Sequence, residues 1–129
     1  MLSSIGLTES IENNQFSGNV PPQLGRLVNL QNLILSSNNL TGELPVNLSS
    51  LTKLTELEIQ ASGLEGPIPS SISALSGLSD LRISDLHGEG QEFPPLKGMT
   101  GMTRLMLRSC NISGTIPAYI SGMNQLQIL

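Results

Sequence analysis

The chain has 129 residues, 38% hydrophobic and 12% charged, with 6 basic and 10 acidic side chains and a net charge of -4. This length suits one domain with a sizeable core, and the composition excludes a disordered polyelectrolyte. The acidic balance excludes the basic stripe of a nucleic-acid binder, the single cysteine excludes an internal disulfide, and no apolar run approaches the ~20 residues of a membrane span.

Residues 1–12 show no clear pattern and are expected to be irregular. They lack the basic flank and long apolar run of a secretory signal. From residue 13 a single spacing takes over. A half unit, 13–27, holds Gly18, Val20-Pro21 and Leu27. The unit 28–51 reads Leu30, Leu33, Leu35, Asn38, Leu40, Gly42, Leu44-Pro45, Leu48, Leu51. The unit 52–75 repeats it 24 residues later as Leu54, Leu57, Ile59, Ser62, Leu64, Gly66, Ile68-Pro69, Ile72, Leu75. In the unit 76–99 the strand positions are Leu78, Leu81 and Ile83, but Leu86 takes the Asn position and Phe93 falls one place late. An irregular loop is therefore expected from His87 to Pro95. The unit 100–123 returns to the pattern with Met102, Leu105, Leu107, Cys110, Ile112, Gly114, Ile116-Pro117, Ile120 and Met123, and 124–129 begins another.

Each column has a physical role. The alternating pair of leucines, with period two, predicts a short strand whose apolar side faces inward. The Asn position turns the chain and pairs backbone groups that would otherwise be buried alone. Glycine permits a tight turn and proline stiffens the return path. The following leucines, spaced by three, suit a short helical or 3₁₀ segment. A single unit cannot bury its leucines, so units must stack. Leu33, Leu57, Leu81 and Leu105 are expected to line up one behind another.

This pattern resembles the plant-type leucine-rich repeat, with LxGxIP in each unit. The stretches 83–90 and 105–114 resemble a narrower group: plant receptor-like serine/threonine kinases whose repeats are followed by a malectin-like domain. The resemblance implies an α/β solenoid, a right-handed superhelix with parallel strands on its concave face and short 3₁₀ or helical segments on the convex side. It also implies a non-catalytic recognition module on the extracellular face of the plasma membrane. A peptide or protein ligand and a co-receptor are the implied partners, with no nucleic acid and no membrane contact by this segment. No cofactor is implied. Neither end carries a recognisable cap, and no transmembrane or kinase segment is present, so the chain is read as a fragment of a larger receptor. The alternatives are a secreted inhibitor that binds a cell-wall hydrolase, or an intracellular repeat scaffold.

No catalytic residue is assigned. His87, the one histidine, lies near Asp85 and Glu89 in sequence, but a triad needs converging side chains. One Cys and one His cannot build a zinc site, so no metal ligand is assigned either. Cys110 reads as a small buried group rather than a reactive thiol. Three tripeptides beginning at Asn39, Asn47 and Asn111 match the N-glycosylation pattern, and the first and last occupy the same place in their units.

The binding candidates are the strand residues that flank the inward leucines, since strand side chains alternate. The first column is Asn32, Glu56, Asp80 and Arg104; the second Ile34, Glu58, Arg82 and Met106; the third Ser36, Gln60, Ser84 and Arg108. Asp85 follows on the third unit. Acidic residues crowd the second and third units, and arginines the third and fourth, so a partner of complementary charge would be steered there. Asp80 with Arg104, and Asp85 with Arg108, are the expected cross-strand pairs.

Overall fold

The computed structural model describes residues 8–10, 17–36, 39–44 and 46–129. Among these lie nine strands: β1 (Thr8–Ser10), β2 (Ser17–Gly18), β3 (Asn32–Ile34), β4 (Asn39–Leu40), β5 (Glu56–Gln60), β6 (Asp80–Ser84), β7 (Gln91–Glu92), β8 (Arg104–Arg108) and β9 (Ile112–Ser113). Strands β1, β3, β5, β6 and β8 form one parallel sheet in that order. Leu33 faces Leu57, which faces Leu81, which faces Leu105, each step being 24 residues. All four are essentially fully buried, so the repeated leucines form the expected spine.

The alternation is visible in exposure. Strands β5 and β6 bury their leucine and isoleucine pairs while the flanking residues, Ser84 excepted, reach solvent on the sheet face. The return path of the coils carries 3₁₀ turns at Pro22–Arg26, Val46–Ser50, Ser70–Ala74 and Ala118–Gly122. Three of these turns bury one apolar side chain each: Leu24, Leu48 and Ile72. The core is therefore a single column between the sheet and the turns. Where it borders an apolar cleft of about 310 Å³, lined by Phe93, Leu105, Ile112, Ile116 and Leu129, Leu107 is only half-buried.

Three features differ from the sequence expectation. First, the segment 1–12 contains β1, in which Glu9 pairs with Leu33 in the leucine register. Backbone hydrogen bonding to β3 places this strand, and it needs no leucine. The remainder of that segment lies outside the described residues. Second, the stretch from His87 to Pro95 is held in place at several points. Its His87 bridges Glu65, and β7 pairs with β9. Third, the coil 76–99 has no 3₁₀ turn where the others do. In three of the other coils Leu24, Ile72 and Ile120 donate an amide to the carbonyl three residues back, that of Pro21, Pro69 and Pro117, as Ile72 does at 3.0 Å. Here the Leu96 amide donates instead to the Tyr119 hydroxyl at 3.1 Å, and that hydroxyl donates to the Pro94 carbonyl at 3.0 Å.

A second, smaller ladder joins the return paths. It comprises β2 with β4, β7 with β9, and the bridges Glu43–Glu65 and Glu65–His87. Its partners are 22 residues apart in β2–β4 and in both bridges, against 24 in the main sheet, so each coil's return path is staggered against the next. Its bonds, such as Glu65 N–H to the Gly42 carbonyl at 2.9 Å, satisfy backbone groups that the turning chain would otherwise leave unpaired. At the exit of each full strand the chain passes through a left-handed residue: Ala61, Asp85 and Ser109, spaced by 24, have φ of 50°, 58° and 51°.

Candidate functional site

The main sheet brings the three predicted columns together on one face. Asn32, Glu56, Asp80 and Arg104 are in direct register, as are Ile34, Glu58, Arg82 and Met106. Gln60, Ser84 and Arg108 continue the third column, and the Gln60 backbone N–H donates to the Ser36 hydroxyl at 3.2 Å.

The charged residues of this face form a connected run. Arg82 grips Asp80 with two nitrogens, Nε at 2.9 Å and a terminal nitrogen at 2.7 Å. Its other terminal nitrogen lies 3.5 Å from Glu58, and Arg104 reaches Asp80 at 3.3 Å. The hydrogen bond to Asp80 holds the Arg82 pKa above its ordinary value against the opposing effect of burial, with Asp80, Glu58 and Glu56 adding to it electrostatically. The two-pronged geometry is the strong form of an arginine–carboxylate contact. Replacing Arg82 with methionine keeps the stem but leaves Asp80 and Glu58 without their shared cation. We expect a loss of about 1 kcal/mol, smaller at high salt, because these side chains are partly exposed. Urea midpoints of both proteins at low and high ionic strength check this.

The expected Asp80–Arg104 pair forms. The expected Asp85–Arg108 pair does not: among the described residues Arg108 makes no ion pair. The Asp85 carboxylate instead accepts the neighbouring Ser84 hydroxyl at 2.7 Å. Asp85 sits at the left-handed exit from β6, beyond the regular alternation. Ser36 and Ser84 also depart from the outward pattern. Both are buried, because a serine is too short to clear the neighbouring strands where Gln60 and Arg108 extend past them. Ile34, Asn32 and Glu56 are half-buried; Met106 and Arg108 are exposed. The Glu56 carboxylate accepts a hydrogen bond from the Asn32 amide. Gln60 reaches across β6 to place its amide nitrogen 3.6 Å from the Met106 sulfur.

Two side chains that no motif marks hold the third coil in position. Gln91 accepts the Ile68 amide at 2.7 Å and donates to the Cys110 carbonyl at 2.9 Å. Tyr119 bonds to 94–96 as described and meets Phe93 edge-to-face at 6.5 Å. Only their reach across coils reveals them, and a repeat pattern carries no signal of that.

Cys110 occupies the Asn position, where it is buried with its thiol 3.2 Å from the Arg108 carbonyl and 3.4 Å from that of Ile83. Burial pushes the thiol pKa up, and the Asp85 charge adds to the rise. A raised thiol pKa means less thiolate at any given pH, so the folded protein should react slowly with a thiol reagent and fast once urea opens it. The linked stability is present below the unfolded thiol's pKa, near 8.5, and declines above it as the unfolded chain ionises first. Reagent kinetics with and without urea check the first expectation.

His87 is exposed, and among the described residues no cluster of three or more His, Cys, Asp or Glu side chains is placed to hold a metal. No described helix is long and apolar enough to cross a membrane. Asn39, Asn47 and Asn111 are all exposed.

Comparisons with known proteins agree with this geometry. The family described as Leucine Rich Repeat matches residues 29–51 and 101–123, two segments three periods apart. No curated protein matches the sequence significantly. Among solved structures, the ectodomain of the Arabidopsis receptor kinase HAESA, in complex with an IDA peptide hormone, superposes with a TM-score of 0.85 at 27% identity, over 93% of this chain and 20% of that one. HAESA is also known in a complex with IDA and the co-receptor SERK1. PEPR1 with AtPEP1 gives a TM-score of 0.84 at 28% identity, over 94% of this chain and 17% of that one. A plant ice-binding protein gives 0.77 at 28% identity, over 88% and 37%. The chain thus spans about a fifth of the HAESA and PEPR1 ectodomains. The chain has the fold of a leucine-rich-repeat solenoid, and over that part of their length it is similar to the ectodomains of plant receptor kinases.

Proposed function

We propose that the chain is a recognition segment of a plant receptor kinase ectodomain. It binds a peptide or protein ligand on its concave sheet and performs no chemistry itself. One observation carries the reading: residues from successive coils, 24 apart in sequence, stand in register on one rigid face and are tied by the Glu58–Arg82–Asp80–Arg104 run. A surface ordered before binding loses little entropy when a flexible ligand settles on it. The receptor–hormone and co-receptor complexes of similar fold support this choice over a secreted hydrolase inhibitor. An extracellular location and a cytoplasmic kinase on the parent belong to the same proposal. The narrower link to the malectin-containing group rests on the stretches 83–90 and 105–114.

A glycan wedge tests it. Glu58→Asn together with Gln60→Thr writes an N-glycosylation tripeptide into the middle of β5. Peptides from plant extracellular fluid retained by the immobilised chain and sequenced by mass spectrometry should be lost when that glycan is present. Retention despite the wedge would move the binding site off this face. In the same secreted preparation we expect the exposed Asn39, Asn47 and Asn111 to carry glycans, read as mass removed by an endoglycosidase.

A further inference from the structure

The charges of the sheet face do not balance coil by coil. Glu58, Arg82, Asp80 and Arg104 form one run of contacts, two acids against two bases. Glu56, on the second coil, makes no ion pair with it: its charge acts on Arg82 through space, and its carboxylate accepts the neutral Asn32 amide. At the other end Arg108 is exposed, with no ion pair among the described residues. On the same strand Arg104 spends one nitrogen on Asp80. Between the two arginines lies Met106, an exposed apolar floor. Asp85 is the remaining acid of this region, and its carboxylate is turned back onto Ser84.

The face is thus negative over β5 and positive over β8, with a neutralised strip between them. We infer that it selects an extended peptide segment laid across the strands, with a basic side chain over Glu56 and an acidic side chain over the Arg104–Arg108 end. Strands β5 and β8 are two strand spacings apart, about 10 Å. Arg108 lies four residues, about 13 Å, further along β8 than Arg104, which shares the Glu56 register. Glu56 and Arg108 are thus about 16 Å apart on the diagonal, while an extended chain advances about 3.3 Å per residue. The two charged residues of the partner are therefore about five positions apart. The inference rests on the peptide-recognition reading and adds the chemical class and the orientation. Charge order of this kind guides encounter and rejects partners of the wrong polarity.

The test selects a displayed library of random peptides against the immobilised chain and, separately, against Glu56→Gln and Arg108→Gln. Arg108 is exposed and Glu56 half-buried, and unchanged urea midpoints establish that the variants fold. The wild-type pool should be enriched in peptides with a basic and an acidic residue about five apart. The basic preference should vanish with E56Q and the acidic preference with R108Q. A representative peptide should bind each variant about tenfold more weakly, the size of one lost charge-assisted contact. Enriched peptides without that pair, or with preferences the variants leave intact, would overturn this inference and leave peptide recognition standing. If the wild-type chain enriches no peptide, peptide recognition fails and the inference with it.

Discussion

Alanine in place of Gly63 is expected to cost about 2–4 kcal/mol of folding stability. Gly63 has a φ of +90°, which side chains avoid, and a Cβ built there falls inside contact distance of the Leu40 carbonyl oxygen. That oxygen cannot step aside. The Leu40 amide is bonded to the Ser62 carbonyl at 3.0 Å, and the Glu65 amide to that of Gly42 at 2.9 Å, so both coils are pinned on either side of the clash. Two other glycines separate the causes. Gly42 has a φ of +81°, but its Cβ would meet the Asn19 side-chain oxygen at 2.6 Å, the tip of a flexible group. Gly42→Ala should therefore cost roughly 1–2 kcal/mol, mostly from the backbone. Gly98 faces open space, and Gly98→Ala should change stability by less than about 0.5 kcal/mol. Urea titration of the three variants, with unchanged slopes, gives the ranking. Equal losses at Gly63 and Gly42 would show that the close approach between coils is not what sets the cost.

Leu81→Ala should be comparably damaging, with an expected loss of about 2–5 kcal/mol. Leu81 is fully buried and stands between Leu57 and Leu105, so truncating it opens a hole against both neighbouring coils. Because the leucine core of each coil packs against that of the coils beside it, a defect in the middle weakens two junctions at once. Against the 5–15 kcal/mol typical of a domain, this is a large share, and the variant should melt well below the parent. Calorimetry is the measurement. A loss under 1 kcal/mol would mean that the leucine spine packs loosely.

The sheet was legible because its signal repeats: Leu33, Leu57, Leu81 and Leu105 each occupy the same place in their unit, so one correct reading carried over to all of them. What a repeat pattern cannot encode is reach between coils. The 22-residue stagger of the return-path ladder arises from backbone pairing and has no side-chain signature. Strand β1 was hidden because Glu9 fills a leucine position while the backbone still pairs. The order in the stretch after His87 comes from Gln91 and from a tyrosine one coil away.

At the candidate site the alternation placed the columns correctly but could not say which members reach the surface. Side-chain length decided that, burying Ser36 and Ser84 beside the longer Gln60 and Arg108. Asp80 found its cross-strand arginine because both lie in regular strand register. Asp85 did not, because the chain has already left the strand there with a φ of 58°.

The constant 24-residue step has a consequence for how such a surface is remodelled over generations. Excising residues 52–75 would join Leu51 to Ser76 with every column still in phase, and would set Ile34 directly beside Arg82. Recombination that adds or drops one whole cassette therefore edits the pattern of charges in a single event, without inventing a new scaffold.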